Sequence, residues 1–344
     1  MPRHLVTILV ALLFSVLVAF DSGNAQTRDE NRDQCGDDNP DLSIRACTTI
    51  IQSGQKGSEN LATAFFNRGN AYARKGDNSR AIEDYNQAIK LNPSYAAAFS
   101  NRGLAYVRKG DDNRAISDFS QAVKLAPSFA IAFANRGAWY ARKGDNDRAI
   151  EDYDQAIKLN PSFATAFSNR GLAYVGKGDN DRAIQDYDQA IKLNPSYVRA
   201  FYNRGWAYAD KGDNDRAIQD YDQAINLNPS DADAFYGRGY AYLSKGENDR
   251  AIQDFDQTIK LIPRFADAFA SRGISYFQKG QSDRARADWA ASLKLNPKNA
   301  HALYGRGVAK RMNGDTVGGD ADLTAAKKLQ ANIVEEMAKL GVKR

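Results

Sequence analysis

Glycine recurs at 69, 103, 137, 171, 205, 239, 273 and 307, and proline at 93, 127, 161, 195, 229, 263 and 297, both in steps of 34 residues. A second glycine series runs 76, 110, 144, 178, 212, 246, 280, 314. A fixed period of this length marks supersecondary units that cannot bury their apolar faces alone and must stack on neighbours. The unit 130–163 reads as helix, turn, helix, turn. Its first helix ends at Lys143-Gly144, a basic residue and then a glycine stop. Asp145 and Asn146 start the second helix. Pro161 stops it. Between them Ala149, Ile150, Tyr153, Ala156 and Ile157 recur at helical spacing and form one apolar face.

The set Phe133, Gly137, Tyr140, Ala149, Tyr153, Ala156 and Pro161, repeated from unit to unit, resembles the tetratricopeptide-repeat (TPR) family. Eight repeats are read at 62–95, 96–129, 130–163, 164–197, 198–231, 232–265, 266–299 and 300–333. The resemblance implies an all-α, right-handed superhelical solenoid of stacked helix-turn-helix repeats with a concave groove. Pentatricopeptide RNA binders differ in period and lack this glycine–tyrosine–proline frame. Residues 41–53 fit the second-helix pattern with Cys47 at the aromatic position, so the segment 26–61 is read as a lead-in with a half-repeat. The last unit decays, with Lys310, Gly319 and Ala331 replacing the tyrosine, alanine and proline. A long amphipathic helix is expected over 320–340 through Leu323, Leu329, Ile333, Val334, Met337 and Leu340, with 334–344 as the end of a C-terminal cap.

The N-terminus reads as an export signal, residues 1–25: Arg3, then the apolar run Leu5 to Phe20, then small residues Gly23 and Ala25 with cleavage after Ala25. The run is short for a membrane span; an uncleaved anchor is the alternative. An exported protein, periplasmic or secreted, is therefore expected, with no integral membrane segment after cleavage. Cys35 and Cys47 are the only cysteines, and two in an exported chain suggest one disulfide. Metal binding by the two thiols and a free reactive pair are the other readings. The net charge of +5 over 344 residues is a mild excess without a clustered basic face, so no nucleic-acid partner is expected.

On a helical wheel the first-helix residues Phe133, Gly137 and Tyr140 share one side and read as core, as does the column Tyr72, Tyr106, Tyr140, Tyr174, Tyr208, Tyr242, Tyr276. The resemblance assigns the opposite face to the groove. There Asn67, Asn101, Asn135, Asn169 and Asn203 recur once per repeat, and Gly237, Ser271 and Gly305 then break the row. An asparagine amide can hold a peptide's backbone N–H and C=O together, so the row is read as a peptide-binding ladder over repeats 1–5. Bonding of each asparagine to its neighbouring helix is the alternative. Arg74, Arg108 and Arg142 on the same face suit an acidic segment. Tyr202, Trp206, Tyr236 and Tyr240, with Tyr304 beyond, suit apolar or aromatic anchors, with Asp210, Asp233 and Asp267 among them.

Two further columns are invariant. Arginine stands at 68, 102, 136, 170, 204, 238, 272 and 306, where the family favours leucine, and aspartate at 84, 118, 152, 186, 220, 254, 288 and 322. They are read as structural ion pairs between helices, such as Arg136–Asp152 and Arg170–Asp186; a basic groove edge is the alternative. His301 reads as a solvated side chain. No histidine–cysteine cluster has metal spacing, no glycine loop cradles phosphate, and no carboxylate pair departs from the repeat pattern. Neither cofactor nor catalysis is expected. The chain reads as a scaffold holding an extended polypeptide partner, with a structural envelope component acting through self-association as the alternative.

Overall fold

The computed structural model describes residues 33–53 and 58–343. The expected signal, 1–25, lies outside the described residues. Among these residues the chain forms eighteen helices and no strand. It divides into two compact units, the first ending at Pro161 and the second beginning at Ser162.

The first unit contains α1 (Pro40–Gln52), then three helix pairs: α2 (Ser58–Arg74) with α3 (Asn78–Leu91), α4 (Ala96–Arg108) with α5 (Asp112–Leu125), and α6 (Ala130–Arg142) with α7 (Asn146–Leu159). The second contains five pairs: α8 (Ala164–Gly176) with α9 (Asn180–Leu193), α10 (Val198–Asp210) with α11 (Asn214–Leu227), α12 (Ala232–Ser244) with α13 (Asn248–Leu261), α14 (Ala266–Gln278) with α15 (Ser282–Leu295), and α16 (Ala300–Met312) with α17 (Thr316–Leu329). A short α18 (Ile333–Lys339) closes it. Within each unit a leading helix packs on its own trailing helix, and the trailing helix packs on the next leading one.

The inter-helix turn follows from one glycine. Gly144 has φ 79°, a left-handed conformation that costs a side-chain-bearing residue. That turn lets Asp145 N–H reach the Tyr140 carbonyl at 3.0 Å and Gly144 N–H the Ala141 carbonyl at 2.9 Å, which satisfies carbonyls the helix end leaves open. Asp145 then caps the trailing helix by accepting from Arg148 N–H. Asp77, Asp111, Asp179 and Asp213 do the same one repeat at a time.

The core is a layer of small residues and one ring per repeat. Ala149 and Ala156 are fully buried and Tyr153 nearly so. The leading-helix glycine exists for that ring: a Cβ on Gly103 would stand 2.7 Å from Phe119, and one on Gly273 2.7 Å from Trp289. The tyrosine column expected in the core is only partly there. Tyr106 and Tyr242 are buried, while Tyr72, Tyr140, Tyr174, Tyr208 and Tyr276 are half-buried. Their outer faces are covered by guanidinium groups, with Arg80 4.3 Å from the Tyr72 ring centroid and Arg148 4.4 Å from that of Tyr140.

The long helix expected over 320–340 is two helices. Gln330 takes φ −144°, ψ 109°, the extended geometry Asn160 adopts before Pro161, although Ala331 replaces the proline. The break turns Ile333 and Met337 inward, and both are fully buried. Burial of that apolar stripe replaces proline as the cause of the break.

Candidate functional site

The invariant arginine and aspartate meet in all eight repeats. Arg136 Nε donates to Asp152 Oδ2 at 2.8 Å and Nη2 to Oδ1 at 2.7 Å, and Arg170 meets Asp186 the same way at 2.8 and 2.6 Å. The aspartate lies on the trailing helix and is buried; Asp152 is 4% exposed. In the first seven repeats the arginine stacks over the phenylalanine three residues before it, 5.8 Å for Arg136 on Phe133; Leu303 takes that place in the eighth. The arginine's third nitrogen often crosses to the preceding repeat: Arg102 Nη1 reaches Asn86 at 2.6 Å and Arg238 Nη1 reaches Asp222 at 2.6 Å. The hydrogen bonds it donates to Asp152 hold the Arg136 guanidinium above its ordinary value. Burial pushes the Asp220 and Asp254 carboxyls up against the pull of their arginines. This is a bidentate inter-helix staple, and it takes these arginines out of any groove edge.

The asparagine row divides. In the first unit Asn101 Nδ2 donates to Asn70 Oδ1 at 2.7 Å, beside the Tyr85 hydroxyl at 2.8 Å from the same oxygen. Asn135 Nδ2 donates to Ser100 Oγ at 3.0 Å. Asn67 lies under the N-terminal lead-in, its Nδ2 4.0 Å from Cys35 Sγ. Two rungs thus spend their donors on the preceding leading helix, so a grip through both amide groups would require them to exchange partners. In the second unit Asn169 is half-buried, and Asn203 is only 7% exposed. Among the described residues the Asn203 Nδ2 and the buried Tyr187 hydroxyl have no hydrogen-bond partner. The expectation that Asn203 faces the groove is corrected: the amide lies beneath the surface. The row breaks at Gly237 and Gly305 for a steric reason, since a Cβ there would stand 2.7 Å from Tyr221 and 2.3 Å from Trp289.

The three groove arginines have different fates. Arg74 Nη2 donates to the Asp37 carbonyl at 2.8 Å, and Arg142 pairs with Asp112. Arg108 stays exposed and meets no carboxylate among the described residues. It lines a cleft of about 250 Å³ with Asn70, Ala73, Arg74, Tyr85, Asn101 and Leu104. A disulfide joins Cys35 to Cys47, and the Ser43 hydroxyl donates to the Cys35 carbonyl at 2.9 Å.

The aromatic anchors are also divided. Trp206 is 44% exposed and Leu172, at the same helix position one repeat earlier, 45%. Tyr202 is half-buried and packs 5.8 Å from the Tyr221 ring. Tyr236 and Tyr240 do not form an open surface, and Tyr304 is buried. They pack in the apolar cluster that contains Ile333, Met337 and Leu340. His301 is not simply solvated either: its Nε2 lies 2.8 Å from Glu336 Oε1, and the Tyr240 hydroxyl donates to the same oxygen at 3.2 Å. The bond to His301 holds the Glu336 carboxyl below its ordinary value, while burial pushes the Tyr240 hydroxyl up. Periodicity does not reveal this cover, because it pairs residues 96 apart.

Among the described residues no group of three or more histidine, cysteine, aspartate or glutamate side chains is placed to hold a metal ion, and no helix is long and apolar enough to cross a membrane. Family models described as TPR repeat match residues 69–110, 139–178, 205–246 and 239–280, and models described as tetratricopeptide repeat match 96–129, 168–225 and 271–318. No curated protein matches the chain. Among solved structures, a tetratricopeptide repeat protein from Parabacteroides merdae is 23% identical with TM-score 0.59, covering 73% of this chain and 99% of that one. The APC/C hetero-tetramer Cut9–Hcn1 is 16% identical with TM-score 0.59, covering 88% and 59%. Pseudomonas aeruginosa pilF is 19% identical with TM-score 0.54, covering 60% and 94%. At these identities the likeness is one of fold. With the family models recurring along its length, the chain belongs to the tetratricopeptide-repeat family, whose members bind protein partners.

Proposed function

We propose that this protein is a non-catalytic scaffold that holds an extended, acidic polypeptide segment on its leading-helix face, in the periplasm or outside the cell. The cleft between repeats 1 and 2 carries the proposal. It joins an unspent guanidinium, Arg108, to the Asn70–Asn101 amides and the apolar Leu104. Arginine binds carboxylates through a planar fork, and the Leu104 side chain beside it offers an apolar contact to the same segment. In the second unit the exposed Leu172 and Trp206 offer apolar anchors on the equivalent face. The apolar N-terminal run and the Cys35–Cys47 disulfide support the exported location.

The test is fluorescence anisotropy with glutamate-rich and lysine-rich peptides of equal length on protein lacking residues 1–25. Tighter binding of the acidic peptide, weakened at least tenfold by Arg108→Glu and by added salt, is expected. Equal binding of both peptides, or no effect of Arg108→Glu, contradicts it. Self-association is favoured by one observation, the exposure of Met312 and Val317 at the last inter-helix turn. A concentration-dependent dimer in light scattering that Val317→Asp abolishes would establish that reading instead.

A further inference from the structure

The end of the chain does not continue the repeat stack. A ninth leading helix would begin at 334, 34 residues after Ala300, and α18 begins one residue earlier, at Ile333. Yet it is tied to the leading helices of three earlier repeats. Glu336 reaches Tyr240 on α12 and His301 on α16, and the Leu340 carbonyl accepts from Gln278 Nε2 at the end of α14, at 2.7 Å. Gln330 Nε2 bonds the second Glu336 oxygen at 2.5 Å. Ile333, Met337 and Leu340 lie at i, i+4 and i+7, one stripe of a helix, and all three are buried in the cluster that includes Tyr236 and Tyr240. A seven-residue helix with an apolar stripe and one coordinated carboxylate, laid across three leading helices, has the geometry of a ligand in a helix-binding groove.

Its covalent link to the repeats is short. Only the turn at 330–332 joins α18 to α17. So short a helix has no stability of its own in water, so it is helical only while docked. Were it to leave, the Tyr240 hydroxyl and His301 ring would stay on the repeats as donors for a carboxylate, beside the apolar floor that Ile333 and Met337 cover.

We propose that residues 333–342 are an internal ligand, and that the leading-helix face of repeats 6–8 is a second binding site whose external occupant is a short acidic amphipathic helix of a protein partner. That helix carries apolar residues at i, i+4 and i+7 and a carboxylate at i+3, and it binds by displacing the tail. The proposal deepens the scaffold reading and rests on it for its biological sense, but its test does not involve the cleft between repeats 1 and 2.

The probe is a labelled synthetic peptide of residues 331–344, titrated against the wild-type chain and against the full-length double variant Ile333→Ser, Met337→Asp, which cannot dock its own tail. The released variant is expected to bind at least tenfold more tightly than wild type. A peptide carrying Glu336→Gln, or His301→Ala in the released variant, is expected to weaken that binding at least fivefold. Equal uptake by both proteins, or no uptake by a variant with native helicity, overturns the proposal. Should the variant lose its helicity, hydrogen exchange on the wild-type protein decides. Amides 337–342 exchanging well ahead of α12, α14 and α16 support a detachable tail, and exchange only in step with those helices overturns it.

Discussion

Aspartate 152 shows what one residue can demand of its neighbours. A carboxylate 4% exposed on a trailing helix is costly unless paired, and Arg136 supplies two parallel bonds from the leading helix. Replacing Arg136 with leucine, the residue the family favours there, is expected to cost about 3–5 kcal/mol, because it strands the acid. Adding Asp152→Asn should recover most of that loss in urea denaturation. Gly103→Ala is expected to cost about 1–3 kcal/mol, since the new methyl meets the Phe119 ring at 2.7 Å. The arginine and aspartate columns were legible in the sequence because eight copies of the unit repeat them at one spacing. The second arginine column, Arg80 to Arg284, was equally regular, three residues after each capping position. It was missed because a charged residue on a helix reads as solvated until its ring partner, Tyr72 or Tyr140, is placed beneath it.

The helix ends carry their own chemistry. Asp77, Asp111, Asp145, Asp179 and Asp213 are held below the ordinary carboxyl value by side-chain and backbone hydrogen bonds from the arginine three residues on. A carboxyl depressed in the folded state adds stability above its unfolded value, near about 4, and loses it as pH falls through the folded value. Thermal stability is therefore expected to be flat from neutral pH down to about 5 and to fall progressively below about 4. Gln281 stands at the capping position of α15 and makes no capping bond. Gln281→Asp is expected to stabilise the second unit by about 0.5–2 kcal/mol, measured as a shift in its denaturation midpoint. Helix pairs, turns and caps were readable from glycine, aspartate and proline. The break at Gln330 was not, since no local residue forces it and the burial of Ile333 and Met337 does.

Each unit covers part of its own leading-helix face with a terminal segment. In the first, the lead-in held by the Cys35–Cys47 disulfide lies over Asn67 and Arg74. In the second, α18 lies over Tyr240 and His301. Neither cover could be read from periodicity, because both depend on contacts far apart in sequence. Reduction of the disulfide is expected to destabilise the lead-in by about 2–4 kcal/mol, seen as faster hydrogen exchange over 35–52 with the later repeats unchanged. What remains uncovered is the face around Leu104 and Arg108 in one unit and around Leu172 and Trp206 in the other. That the face in the first unit holds an acidic chain is the central claim. The most direct measurement places a photo-crosslinking residue at Leu104, at Leu172 and, as a control, at the exposed Glu83 on a trailing helix, in cells that produce the protein. The account predicts crosslinks from Leu104 that map to an acidic stretch of a protein partner, and crosslinks from Leu172 to a protein partner as well, with none from Glu83. Equal crosslinking from Glu83, or crosslinks from Leu104 only to a second copy of this chain, would contradict it.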